Sequence, residues 1–155
     1  MSLDAFLKLS ETVTLGRHTF TAEEIKRFAA KYDPQPFHLD EEAARQSIFG
    51  GLCASGWQSC AMWMRYNLQS IRQSLEDWDG PGPRPEFGPP TGFSNLKWLK
   101  PVYAGDTITF TRTNLSLEPI ASRPGWRLLS SKAEAFNDKG ERVLEFEGRV
   151  PVKAE

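Results

Sequence analysis

At 155 residues, 25% charged and 39% hydrophobic, the chain has the size and mixture of one soluble domain with an apolar core of its own. Nineteen basic residues against twenty acidic ones give a formal charge of −1, which excludes the strongly basic overall balance of proteins that bind nucleic acid or anionic membranes. Cys53 and Cys60 fall on what reads as one helix, roughly 10 Å apart along its axis and too far for a disulfide, and no Cys/His spacing suits a metal ion.

The first fifteen residues, MSLDAFLKLSETVTL, lack a basic start followed by an apolar block. With thiols expected to stay reduced, this predicts a cytoplasmic protein without a signal peptide. Residues 12–20 alternate weakly around Gly16, as a short hairpin or edge strand would. Thr21-Ala22-Glu23-Glu24 fits a capping box, with Thr21 as N-cap and Glu24 reaching back. Ile25, Phe28, Ala29 and Tyr32 then share a helical face to about Tyr32, where Pro34 and Pro36 forbid continuation. Asp40 reads as the N-cap of a further short helix to about Gln46, with Glu41 and Glu42 favourable in its first turn.

Residues 46–64, QSIFGGLCASGWQSCAMWM, carry no charge. Their glycines, serines and glutamines suit lipid poorly, and a helix with no polar face is more simply one surrounded by protein. A buried central helix is expected from near Leu52, just after Gly50-Gly51, to about Leu75. The Pro/Gly-rich stretch 79–92 reads as a long loop within the same domain, because the apolar helix before it needs the strands after it as cover.

Strands are predicted over Phe93–Leu99, Asp106–Leu117, Trp126–Phe136 and Arg142–Val150, the last two joined by a hairpin across Asn137–Gly140. In the final strand Leu144, Phe146 and Val150 share one face, and Glu145, Glu147 and Arg149 the other, so the sheet is antiparallel with a wet side. An antiparallel sheet with one long apolar helix is best satisfied by curling around it. That is an α+β hotdog fold, spanning 1–155 as one domain.

The segment YDPQPFHLD, residues 32–40, sets an acid and an imidazole five residues apart. Pro34 and Pro36 each fix a φ angle and push the preceding residue toward extended geometry, making a stiff bracket between two helices. General acid–base chemistry needs such positional control, although an acid ending a helix and a packed histidine would look the same. His18, with no acid beside it in sequence, reads as a surface residue.

Asp33-Pro34-Gln35-Pro36-Phe37-His38, then Phe49-Gly50-Gly51-Leu52, and later Trp98-Leu99-Lys100-Pro101-Val102-Tyr103-Ala104-Gly105-Asp106 together resemble the MaoC-like hotdog dehydratases, which include the (R)-specific enoyl-CoA hydratases (hydratase 2). The resemblance runs from about Thr12 to Val150. Asp33, Pro36 and His38 match the family pattern, while Gln35 stands in place of its usual Asn and Tyr32 in place of a Gly. The resemblance implies a hydro-lyase of fatty-acid metabolism without cofactor or metal. Asp33 and His38 would activate water for addition to C3 of a trans-2-enoyl thioester and supply the C2 proton, or catalyse the reverse dehydration of a (R)-3-hydroxyacyl thioester. The backbone N–H of Gly51 would bind the thioester oxyanion, and Ser59 would be a supporting group.

Partners expected from the resemblance are an acyl-CoA or acyl carrier protein thioester and a second copy of the chain, in a homodimer or higher homo-oligomer, with neither nucleic acid nor membrane. Trp57, Trp63 and Tyr66 are core residues or narrow the acyl site toward short or unusual groups. Arg84, Lys97, Lys100 and Arg123 are candidate phosphate contacts. Two rival readings are a hotdog acyl-thioesterase, disfavoured because no acid lies between Leu52 and Leu75, and a non-catalytic acyl-CoA-binding or regulatory protein.

Overall fold

The computed structural model describes residues 1–153. Among them six strands make one antiparallel sheet: β1 (Thr12–Thr19), β2 (Glu86–Phe87), β3 (Gly92–Trp98), β4 (Thr107–Pro119), β5 (Trp126–Phe136) and β6 (Arg142–Lys153), in the order β1-β4-β5-β6-β2 with β3 also on β6. The three long C-terminal strands form where threonines, valines and aromatics alternate with polar residues, the pattern a half-buried strand favours. Asn137 and Gly140 close the β5–β6 hairpin: Gly140 donates to the Asn137 carbonyl at 3.0 Å and sits at φ +74°, where a side chain would be strained.

Five helices precede or pack on the sheet: α1 (Leu3–Leu7), α2 (Ala22–Tyr32), α3 (Pro36–Leu39), α4 (Glu41–Arg45) and α5 (Gly56–Glu76). The curled sheet and the 21-residue α5 make the hotdog architecture expected from sequence. Phe20, Ile25, Ile108, Phe110 and Leu144 are all fully buried in the main apolar cluster, together with Trp63 of α5. A second, smaller cluster of Leu7, Leu129 and Val152 lies under α1.

Several expectations are corrected in detail. Of the two readings of residues 12–20, the edge strand holds: β1 covers Thr12–Thr19 and pairs with β4, and no hairpin forms there. Thr21 accepts from the Glu24 N–H at 3.2 Å, but the Glu24 carboxylate turns to His18 rather than back along the helix. Helix α1 and the one-turn α3, which carries His38, are too short to show a periodic signal.

The central helix begins at Gly56, four residues later than expected. The backbone of 52–54 is committed elsewhere: Ala54 N–H donates to Val102 O at 2.8 Å, Ala104 N–H to Leu52 O at 3.0 Å, and Cys53 N–H to Phe37 O at 3.3 Å. These bonds hold the stretch extended against 102–104, and Ser55 caps the helix by accepting from Trp57 N–H at 3.3 Å. In the chain by itself α5 buries Gln58, Ser59, Trp63 and Asn67, whereas Trp57, Met64 and Leu68 of the same helix stay exposed.

Candidate active site

Asp33 and His38 meet because the chain folds tightly between α2 and α3. Asp33 terminates α2, its N–H donating to Ala29 O at 2.9 Å, and its carbonyl accepts from Gln35 N–H at 2.7 Å. Pro36 opens α3 at a position where its missing N–H costs nothing, and the single turn carries His38 back toward Asp33. His38 Nε2 lies 3.3 Å from Asp33 Oδ2, with the imidazole side chain 7% exposed and the carboxylate 17%.

Each partner is oriented by a further contact. The Nδ1 atom of His38 is 2.6 Å from the carbonyl of Cys53. A carbonyl only accepts, so Nδ1 carries a proton and Nε2 is the atom left for chemistry. Gln35 Nε2 donates to Asp33 Oδ1 at 2.7 Å. Burial alone would push the Asp33 carboxyl up; hydrogen bonds from Gln35, Ser55 and His38 and the charge of a protonated His38 more than reverse this, and its pKa lies below the ordinary 3.8.

Stability from this carboxylate is therefore complete above pH 3.8 and lost as pH falls through the lowered value. Gln35→Ala removes the largest of the opposing hydrogen bonds. The acid limb of the pH–rate profile is expected to move upward in this variant. An unmoved limb, measured on protein that remains folded across the range, would show that Gln35 does not hold the carboxylate.

Ser55 is the residue that sequence reasoning missed. It is fully buried, its hydroxyl acts on the Asp33 carboxylate, and it caps α5. The carbonyl of Ser55 accepts from Gln58 N–H at 2.9 Å and Ser59 N–H at 3.3 Å, and its hydroxyl from Trp57 N–H. Among the described residues this leaves the Gly56 N–H, the first of the helix, without a partner. A Cβ on Gly56 would run into the indole of Trp98, which in turn packs edge-on against Trp57 at 4.9 Å.

Gly51 lies five residues ahead of α5, not at its start, and a Cβ there would make ordinary contact with Tyr103 at 3.6 Å. Ser59 is buried in the first turn of α5, and among the described residues its hydroxyl bonds neither Asp33 nor His38. A glycine immediately after a potential N-cap serine, Ser55-Gly56, is the signal that could have found the helix start.

Other candidates separate clearly. His18 is half-buried rather than on the surface: its Nε2 is 2.7 Å from Glu24 Oε1 and its Nδ1 3.3 Å from the Tyr66 hydroxyl. Lys100 is paired with Glu141, and Lys97 lies 3.9 Å from Glu145, while Arg84 and Arg123 are exposed. Trp57 and Trp63 line a cavity of about 520 Å³ rather than filling it; Tyr66 faces β1 and stacks on Phe110 at 5.6 Å. Among the described residues no group of His, Cys, Asp or Glu is arranged to hold a metal ion, and no helix is long and apolar enough to cross a membrane.

The sequence profile described as a MaoC like domain matches residues 8–117. The uncharacterized protein YdeM of Bacillus subtilis (strain 168) is 29% identical over 153 residues, 99% of each chain. Among solved structures, the MaoC-like dehydratase from Rhodospirillum rubrum is 34% identical, with a TM-score of 0.79 over 100% of this chain and 98% of that one. The unliganded (R)-hydratase PhaJ1 from Pseudomonas aeruginosa shares the fold at 21% identity, with a TM-score of 0.64 over 95% of this chain and 83% of that one.

Proposed function

The chain belongs to the MaoC-like domain family, and from that membership we propose that it is a hydro-lyase, adding water reversibly to a trans-2-enoyl thioester to give a (R)-3-hydroxyacyl thioester. The observation that carries this reading is the 3.3 Å approach of Asp33 Oδ2 and His38 Nε2, with the other ring nitrogen already donating to Cys53 O. A carboxylate and an imidazole lone pair facing one point are two acceptors, and a water between them gives a hydrogen bond to each. Its oxygen attacks C3 as one O–H bond breaks toward the pair, and the pair delivers a proton to C2, so hydrogen and hydroxyl add across the double bond.

Charge gathers on the thioester oxygen during addition and needs a donor already in position. The resemblance gave this role to Gly51, with a nearby helix start adding favourable partial charge, but α5 begins five residues later and that contribution is lost. The Gly56 N–H fits better, being unpartnered among the described residues, next in sequence to Ser55 and at the positive end of α5. Ser59 is left as a buried group of the helix, at most supporting Ser55.

The whole of 1–155 is taken as one such domain, working in the cytoplasm on a CoA or acyl carrier protein thioester. The thioesterase alternative is disfavoured by α5, whose first acidic residue is Glu76, at the end far from Asp33. A panel of trans-2-enoyl thioesters tests the reading: loss of the conjugated enoyl group supports it, whereas release of free thiol, or binding without turnover of any member, overturns it.

The exposed Trp57, Met64, Leu68, Phe93 and Trp98, 38–59% accessible, make an apolar strip along α5 and the outer strand β3. A second copy would cover this strip and the unpaired edge of β3. Sedimentation is expected to give at least twice the chain mass; a monomer at micromolar concentration would contradict the dimer.

A further inference from the structure

The 520 Å³ cavity runs along one face of α5, from Trp57 and Cys60 near the helix start to Ile71 and Ser74, between the two apolar clusters of the core; Trp57 follows Gly56 in sequence, whereas Asp33, His38, Ser55 and Gly56 are not among its lining residues. Its wall is chiefly aromatic and aliphatic, the character of a site for an acyl chain. Among the described residues the charged ones on that wall are Arg112 and Arg149, and no acidic residue lines it. Arg149 is exposed at the rim, but Arg112 projects from β4 toward α5 and donates from Nη1 to Asn67 Oδ1 at 2.7 Å.

A guanidinium offers five N–H donors, and among the described residues this one meets a neutral amide and no carboxylate. Burial lowers its pKa from the ordinary value, the expected sign of a cation desolvated without a counter-ion. Such a charge is costly unless something pairs with it. Asn67 lies eleven residues beyond Gly56, roughly 16 Å along the helix axis, so the cation stands well beyond the point where a thioester would sit.

We propose that Arg112 receives the terminal carboxylate of the acyl chain, so that the preferred substrates are thioesters of dicarboxylic acids whose free carboxylate reaches past the midpoint of α5. The fit is of charge as well as shape: an apolar corridor, a planar cation that can bind a carboxylate through two parallel hydrogen bonds, and no acid among the described lining residues to repel it. Assignment of the acyl part to a reacting thioester rests on the hydration reading above, whereas the carboxylate site itself does not.

The test uses saturated acyl-CoA esters of increasing length, each with a free terminal carboxylate or with that carboxylate methyl-esterified, titrated calorimetrically into the full-length protein. Both members of a pair carry the same CoA, so the ratio reports only the acyl end. At the best length the free acid is expected to bind at least about tenfold tighter than its ester, as a charge-assisted bidentate contact would give. This ratio should fall to near unity in Arg112→Met and remain above unity in Arg112→Lys, which keeps the charge. Equal binding of acid and ester by wild type at every length, or an unchanged ratio in Arg112→Met, overturns the proposal. Matched 2-enoyl thioesters separate it from the hydration reading: preferential binding without turnover sinks hydration alone, and turnover without any preference sinks the carboxylate site alone.

Discussion

Asp33→Asn and His38→Ala are each expected to reduce kcat/KM on an enoyl thioester by at least about a hundredfold, the usual contribution of a positioned acid or base. The two variants should differ in stability. In Asp33→Asn the introduced amide keeps the size of the native carboxylate and can still accept from Gln35 through its oxygen. The ionic part is lost, and with it the stability this carboxylate supplies above pH 3.8, so the melting temperature of this variant should lie modestly below that of wild type at neutral pH and approach it in acid. His38→Ala leaves a cavity and strips the Cys53 carbonyl of the donor it holds at 2.6 Å, a loss of about 1–3 kcal/mol from the unsatisfied acceptor alone. Activity measured beside thermal unfolding therefore distinguishes lost chemistry from lost structure. Near-wild-type turnover in folded Asp33→Asn would remove the carboxylate from the mechanism.

Gly56→Pro compared with Gly56→Ala is the second large expected effect. Proline is tolerated at the first position of a helix, and Ser55 before it already has φ −57° and ψ 137°, a geometry that a following proline accepts. Both substitutions add a Cβ that collides with the indole of Trp98, a disturbance the two variants share and their comparison cancels. They differ in the N–H, which alanine keeps and proline removes. Loss of one oxyanion donor typically costs about 100- to 1,000-fold in kcat, so the proline variant should fall that far below the alanine variant while thermal unfolding of the two stays similar. Equal rates in the two proteins would return the oxyanion role to another amide, with Gly51 the first to examine.

The fold was legible because its elements obey simple patterns. The alternation in β4 to β6, the Asn137–Gly140 turn and the Thr21 and Asp40 caps are local signals, and each corresponds to an observed element or bond. The beginning of α5 was not legible in the same way. Residues 52–54 are as apolar as the helix that follows, and only their pairing with 102–104, some fifty residues away, keeps them extended. That non-local pairing moves the helix start from the neighbourhood of Gly51 to Gly56, and with it the candidate oxyanion donor.

The Asp33–His38 proximity was partly legible, because Pro34 and Pro36 mark a stiff segment, although the one-turn helix that brings His38 back to Asp33 carries no periodic signal. Its supporting groups do not follow. Gln35 lies within the segment, but its direction is set by the Asp33 carboxylate; Ser55 and the Cys53 carbonyl arrive from another part of the chain. His18 and Glu24 failed to read as a pair for a related reason, since six residues spanning a strand–helix corner carry no periodicity. Alternation along β4 sets Arg112 on the face of Ile108 and Phe110, but nothing local in the sequence names Asn67 of α5 as its partner.

The most direct measurement is hydration of a trans-2-enoyl thioester in ¹⁸O-labelled water, with the products of wild type and Asp33→Asn resolved by mass. One labelled oxygen in the C3 hydroxyl, with the thioester intact in wild type and no such product from the folded variant, is the expected result. Label in a free carboxylate alongside released thiol, or C3 labelling at equal rates in both proteins, would contradict water activation by Asp33 and His38.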